Sequence, residues 1–502
     1  MTELPDQPVV RTTEGALRGR LDRGLAVFRG VPYARPPVGA LRFAAPAPPE
    51  PWEGVREAAE FGPVVPQSGP ITSPVPSEGT DWLTLDVCTP DPGAAGLPVL
   101  VWLHGGGFIA GTSGDPLYDP TALASAGLVV VAVNYRVGAE GFLLLEGAPA
   151  NRAFLDQTAA LHWVRRNIAR FGGDPALVTV AGQSAGAGSV AAMTVMPAAR
   201  GLFRRAVAHS VPGNLATPEL ASDVAAVLAR RVGAAPTAAS LAEVDPWRLA
   251  SAVTDLGAEL PKHLARWGRL AQTGIATVPV LDGEVLPCVP WTDLADGVEL
   301  LVGHTRDEFR LFTVLSGRLG TFTEEEARTA LRLLAPPPDG IAAYRAAYPE
   351  AGWEALLEAV GSDAIFRMPS LHLAEANSRA GGSSYLFELA LPAAGLGGVL
   401  GACHGLDVPL SFGTLDAPTA RQFLGDPPPP AATEVSREIR RAWVSFAATG
   451  DPGWPAYEDG EQLTRVLDAP SRTARYPEQA ARAIWEGNSP TPYGLSDSDE
   501  NG

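Results

Sequence analysis

The sequence predicts an α/β fold built on a central, mostly parallel sheet. Short apolar runs rich in valine and leucine recur along the chain, and longer stretches with helical spacing lie between them. A strand that is apolar throughout is one buried on both faces, as in a parallel sheet covered by helices. Four such runs stand out: Leu97–Leu103, Leu128–Asn134, Leu177–Ala181 and Leu300–Gly303, each bounded by turn residues. A further strand is expected at Tyr385–Ala390.

The remaining elements follow in chain order. The stretch from Pro63 to Gly79 is rich in Pro, Gly and Ser and reads as a long surface loop. Phe154–Arg170 reads as a helix, because Leu155, Ala159, Leu161, Val164 and Ile168 approximate one stripe and Gly172-Gly173 supplies the stop. Residues 213–300 are rich in Ala and Leu and are expected to form a mostly helical insertion over one end of the sheet. Ile365–Ser378 also reads as helical. No repeat of fixed period is visible. Residues 1–486 are expected to form one domain, and the small, polar stretch 487–502 a mobile C-terminal tail.

Composition excludes several classes of function. Hydrophobic residues make up 46% of the 502 and charged residues 19%, against roughly 25% charged in ordinary soluble domains, so the chain can bury a large core and is not disordered as a whole. The formal charge of −18 argues against binding nucleic acid or anionic membranes through bulk charge. Cys88, Cys288 and Cys403 are too few and too scattered for a disulfide framework or a metal site, and they fit a reducing compartment. The first residues lack the basic and apolar regions of a signal peptide, and no run reaches the roughly 18 apolar residues that span a bilayer. A soluble, cytoplasmic protein without a metal or organic cofactor is expected.

Val178–Ala181 runs directly into Gly182-Gln183-Ser184-Ala185-Gly186 and then into small, helix-forming residues. A strand, G-x-S-x-G and a helix in that order form the layout of a nucleophile elbow. The sharp turn exposes the serine hydroxyl, and the glycines let neighbouring backbones approach. A glycine-rich turn would satisfy the short pattern alone; the strand before it and the helix after it favour the elbow. A second signal, His104-Gly105-Gly106-Gly107-Phe108, directly follows the strand Leu97–Leu103. Glycine amides there can point at a developing negative charge with no side chain in the way. The amide of Ala185 would complete such an oxyanion hole.

A general base must follow the serine and an acid in the order Ser, acid, His. Of the seven histidines, His104, His162 and His209 lie before or close to the serine strand, and His263 lies in the helical insertion. His304 shares a segment with the candidate acid, and His372 falls in a helical stretch. His404, in the glycine-flanked loop Gly401–Gly405 past the expected strand at Tyr385–Ala390, is left as the base. The acid is expected just after the strand Leu300–Gly303, where chemistry alone admits both Asp307 and Glu308.

With these residues in place, the chain resembles the type-B carboxylesterases. This α/β-hydrolase family includes bacterial p-nitrobenzyl-type esterases, animal carboxylesterases and cholinesterases. The resemblance runs from about Gly15 to Tyr457. It rests on Phe28–Ala34 with Pro36–Gly39, His104–Phe108, Asn134–Arg136 and Asp156-Gln157, then on Phe171–Pro175, Gly182–Gly186 and Pro279–Gly283. Asp307-Glu308, His404-Gly405 and Ala442–Phe446 complete it. It implies an α/β-hydrolase fold, with Ser184 as nucleophile, Glu308 as acid, His404 as base and Gly106, Gly107 and Ala185 as oxyanion donors. The family usually has glutamate where Gln183 stands. Ser210 and Asp407 match other members of the same buried polar group. Trp82 replaces a cysteine of the family's secreted members, and the Pro63–Gly79 loop has no tryptophan, so a choline-type aromatic site is not expected. The reading is a serine carboxylesterase acting on small-molecule esters. The alternatives are a lipase-like hydrolase of longer acyl esters, less favoured for want of an obvious amphipathic lid, and a non-catalytic binding module on the same fold.

Overall fold

The apolar runs become the middle of one eleven-stranded sheet, seen in a computed structural model that describes residues 7–68, 78–292, 294 and 296–496. Its strands in chain order are β1 (Arg20–Asp22), β2 (Leu25–Pro32), β3 (Thr84–Thr89), β4 (Leu97–Leu103), β5 (Val129–Val133) and β6 (Gly173–Gln183). The later strands are β7 (Arg205–His209), β8 (Glu299–Thr305), β9 (Ser383–Leu389), β10 (Leu463–Leu467) and β11 (Arg472–Arg475). Across the sheet they lie β1-β2-β3-β5-β4-β6-β7-β8-β9-β10-β11. From β5 to β10 every pairing is parallel, and both edges are antiparallel. Residues alternate along β4 as a two-sided burial demands. Val99, Val101 and Leu103 enter one apolar cluster, and Leu100 and Trp102 enter the other.

Helices that bear on the site are α1 (Arg152–Asn167), α2 (Ala185–Val195), α3 (Pro218–Arg231), α4 (Pro246–Glu259), α5 (Met368–Arg379), α6 (Asp407–Phe412) and α7 (Pro430–Thr449). In α1 the buried face is centred on Phe154, Leu161 and Val164, while Leu155 and Ala159 lie at its margin. A 3-10 turn, Ile168–Phe171, follows and ends at Gly172, whose φ of +85° suits glycine and where a Cβ would meet the carbonyl oxygen of Asp91 at 2.4 Å.

Three expectations need correction. The insertion is helical only as far as Gln272; among the described residues of 273–298 there is no helix, since Pro279, Pro287 and Pro290 interrupt the stretch. Its helical part carries its own core, with Leu220, Val224 and Leu228 of α3 against Leu249, Val253 and Leu256 of α4. The loop Pro63–Gly79 is not all surface: Val64 and Val65 are buried, and Gln67 bonds Gly111 through both amide atoms; residues 69–77 lie outside the described residues. The segment expected to be a mobile tail is docked as far as Ser496. Tyr493 is buried, its amide donates to the Leu215 carbonyl and its hydroxyl to Asn214, and Pro490 accepts from the Trp291 indole. The buried tyrosine ring anchors a stretch whose remaining residues are mostly small or polar. Residues 497–502 lie outside the described residues.

Candidate active site

The carboxyl ends of β4, β6, β7, β8 and β9 bring the candidate residues to one rim of the sheet. Residue 184 sits between β6 and α2 with φ +56° and ψ −126°, a conformation costly for any residue with a side chain. Two bonds hold it: the Ser184 amide donates to the His209 carbonyl on the neighbouring strand, and the Ser184 carbonyl accepts from the Gly188 amide, each at 2.9 Å. The flanking glycines are required by contact. A Cβ on Gly182 would lie 2.4 Å from the Gly186 carbonyl carbon, and one on Gly186 would lie 2.0 Å from the Leu103 oxygen.

The Ser184 hydroxyl projects from this turn to His404 Nε2, 2.9 Å away. On the other side of the ring, His404 Nδ1 meets Glu308 Oε2 at 2.5 Å. Glu308 is completely buried. Its second oxygen accepts from the Ser210 hydroxyl at 2.6 Å and the Thr305 amide at 2.8 Å. A carboxylate so surrounded is an acceptor at both oxygens, so the proton of the neutral imidazole sits on Nδ1 and Nε2 is left as the acceptor for the serine. Geometry separates the two acids that sequence chemistry left open. Glu308 touches the imidazole, whereas Asp307 turns to the histidine loop, accepting from the Ala402 amide.

Gly106 and Gly107 lie in a tight turn at φ +117° and +62°. A Cβ at Gly106 would strike the Ala110 oxygen at 2.1 Å, and one at Gly107 would press on Ile275 at 3.0 Å. Among the described residues, no group accepts from the amides of Gly106, Gly107 or Ala185, and a Cβ on the preceding Gly105 would lie 3.4 Å from that of Ser184. His104 props this turn. Its ring stacks on Tyr135 at 4.2 Å, its Nδ1 bonds the Gly105 carbonyl, and burial lowers it to about 4, which keeps it neutral.

Gln183 is buried with its Nε2 3.3 Å from His404 Nε2, the nitrogen that faces the serine. Asp407 departs from the expectation that it shares a polar group with Ser210. It bonds His209 Nδ1 at 2.7 Å, and the Trp443 indole donates to His209 Nε2 at 3.2 Å. An indole can only donate, so His209 is a neutral ring that donates to Asp407. His209 was passed over at the sequence level, yet its carbonyl holds the Ser184 amide; no pattern in the chain marks a main-chain role of this kind. Also missed were Phe312 and Phe366, whose rings lie 5.3 Å and 4.4 Å from that of His404. Burial raises the thiol of Cys403, beside His404, well above the ordinary range. Among the described residues no group of three or more His, Cys, Asp or Glu could hold a metal ion, and no helix is long and apolar enough to cross a membrane.

Compared with known proteins, residues 6–485 match the carboxylesterase family as a whole. The chain belongs to the carboxylesterase family. It is 35% identical to the para-nitrobenzyl esterase of Bacillus subtilis (strain 168), over 94% of this chain and 97% of that one. To the phenmedipham hydrolase of Pseudarthrobacter oxydans it is 34% identical, over 92% and 95%. A crystal structure of a Geobacillus stearothermophilus carboxylesterase superposes with a TM-score of 0.84 at 35% identity, covering 95% of this chain and 99% of that chain. The fold is therefore that of the α/β-hydrolases, and the enzyme is a carboxylic ester hydrolase.

Proposed function

We propose that the protein hydrolyses small-molecule carboxylic esters through an acyl-enzyme formed on Ser184. His404 Nε2 takes the hydroxyl proton as Ser184 Oγ attacks the ester carbonyl carbon. Glu308 holds the imidazole in the reactive tautomer and stabilises its protonated form. The carbonyl oxygen becomes an oxyanion, received by the amides of Gly106, Gly107 and Ala185, each worth on the order of 3 kcal/mol. Collapse expels the alcohol, which leaves with the proton held by His404. Water then attacks the acyl carbon, giving its proton to His404, and the acid departs as Ser184 recovers a proton.

What carries this reading is the unbroken chain from Ser184 Oγ through His404 to Glu308, at 2.9 Å and 2.5 Å, together with three unengaged amides on the adjoining turns. The walls of the site favour apolar substrates. Phe312 and Phe366 stack on each other at 5.8 Å beside the imidazole, and Ile275 lies over Gly107, so esters with apolar acyl or aryl groups are the expected class. The test is labelling by a fluorophosphonate probe, with Ser184→Ala as control. Labelling of the unsubstituted protein alone is expected, and an unlabelled wild type would overturn the proposal.

A further inference from the structure

Strands β2, β3 and β5, roofed by the segment Ser113–Thr121, enclose a cavity of about 180 Å³ that shares no residue with the candidate active site. An engineered apolar cavity of about 150 Å³ accepts benzene, so this one has room for a ligand of roughly six to nine heavy atoms. The pairing register sets its floor. Asp86 lies opposite Ala132, and Cys88 lies opposite both Val130 and Val27, so these side chains share one face of the sheet. A register irregularity in β2 between Phe28 and Val31 carries Arg29 into the wall, and Gly30, at φ +61°, gives its amide to Asp86 Oδ1 at 2.9 Å.

In this wall two buried oxygens lack partners, and one half-buried guanidinium lacks an ion pair. Asp86 is 9% exposed and Ser113 6%. Ser113 lies close enough to ease the charge on Asp86, yet neither Asp86 Oδ2 nor the Ser113 hydroxyl finds a partner of hydrogen-bonding geometry among the described residues. The Arg29 guanidinium carbon lies over Phe61, 4.0 Å from the ring centroid, and no carboxylate of the described residues pairs with it. Other charges at the mouth are accounted for: Arg23 pairs with Asp119 at 2.6 Å and Asp22 at 3.5 Å, and Asp115 caps the Leu117 amide at 2.9 Å. Unsatisfied buried polar atoms are costly, and here they share a cavity wall with a guanidinium that has no ion-pair partner, so a ligand carrying both charges would find a group for each.

We propose that this cavity binds a free aliphatic α-amino acid of valine to leucine size as its zwitterion, the ammonium on Asp86 and Ser113 and the carboxylate on Arg29. A simple amine would satisfy Asp86 but face an uncompensated guanidinium; a simple carboxylate would satisfy Arg29 but face Asp86. The zwitterion answers both, and its side chain covers Val27, Val130 and Ala132. Burial raises the Asp86 carboxyl to about 6, a cost that a bound ammonium relieves.

Equilibrium dialysis or titration calorimetry with L-leucine and L-valine at neutral pH tests this. Isopentylamine and 4-methylpentanoate serve as leucine analogues lacking the carboxylate and the ammonium respectively. Saturable one-to-one binding of the amino acids is expected, weakened at least about tenfold for either analogue and in Asp86→Asn and Arg29→Met. Circular dichroism checks that both variants fold, and Ser184→Ala is expected to bind as the wild type does, which separates this site from the ester site. No saturable binding up to about 10 mM, amine binding equal to that of leucine, or binding indifferent to both variants would each overturn it.

Discussion

The carboxylate of Asp307 accepts the amide of Ala402 at 2.8 Å, and the amide of Asp307 donates to the carbonyl of the same residue at 2.9 Å. A single aspartate thus ties the loop that carries Glu308 to the loop that carries His404. Gly401 is needed for the fit, because a Cβ there would lie 2.5 Å from the Asp307 carboxylate. Loss of a bond to a charged acceptor costs about 1.5–3 kcal/mol. Asp307→Ala is therefore expected to lower kcat roughly ten- to hundredfold by loosening the His404 loop, with KM changing far less. Steady-state kinetics on a p-nitrophenyl ester reads this; a kcat within about twofold of wild type would show that the loops need no clamp.

Gln183 offers an amide, not a carboxylate, to His404 Nε2. In Gln183→Glu a negative charge would stand beside the imidazolium that forms during reaction and stabilise it. The acidic limb of the kcat/KM profile should then move to higher pH, since the base stays protonated further up the scale. An unmoved limb would falsify the assignment of Gln183 as a group that tunes the base.

Arg136 and Asp156 form a fully buried ion pair. Guanidinium Nε and Nη2 bond both carboxylate oxygens at 2.8 Å and 2.7 Å, and the Arg136 amide adds a third bond at 3.1 Å. Removing one partner leaves an uncompensated buried charge, so Asp156→Ala is expected to cost about 3–5 kcal/mol. Urea unfolding measures this, and a loss below about 1 kcal/mol contradicts it.

Burial, with Glu478 nearby, raises Glu388 to about 7, although Arg306 pulls the other way. The folded chain keeps this proton where an unfolded glutamate, near 4.5, has lost it. The stability it contributes is complete below the unfolded value and disappears as pH rises through about 7. Glu388→Gln removes the titration, so the thermal midpoint of the variant should gain on that of the wild type between about pH 5 and about pH 8. A gap that does not change with pH would show that the buried carboxyl holds no extra proton.

Phe312 is only partly buried and lies against both Phe366 and His404. Phe312→Ala is expected to shift relative kcat/KM toward bulkier esters by roughly tenfold, the worth of one or two methylene-sized contacts. Hydrolysis of an acyl-length series provides the comparison, and an unchanged ranking would place the substrate elsewhere.

Local patterns made the core of this chain legible. Leu97–Leu103 is β4 residue for residue, because a strand buried on both faces has to be apolar at every position. The elbow and the glycine turn were legible for the same reason, since steric demands at Gly182, Gly186 and Gly106 leave glycine as the residue that fits. Local patterns misled where they ran out of periodicity. The small, polar stretch after Gly487 gave no sign that Tyr493 would seat it against Leu215 and Asn214, and an alanine-rich insertion was read as helical past prolines that end it.

From the chain alone came the fold class, the residue types of the site and their order, all of them properties of short segments that keep their meaning wherever the segment lies. The chemistry of the chain left Asp307 and Glu308 both open until the family resemblance implied Glu308; only the tertiary structure decided that Asp407 serves His209, and that Asp86 and Arg29 line one cavity without an ion pair between them. Those outcomes depend on distances between residues tens to hundreds of positions apart, set by strand register and by how loops close over the sheet, and no local pattern encodes them.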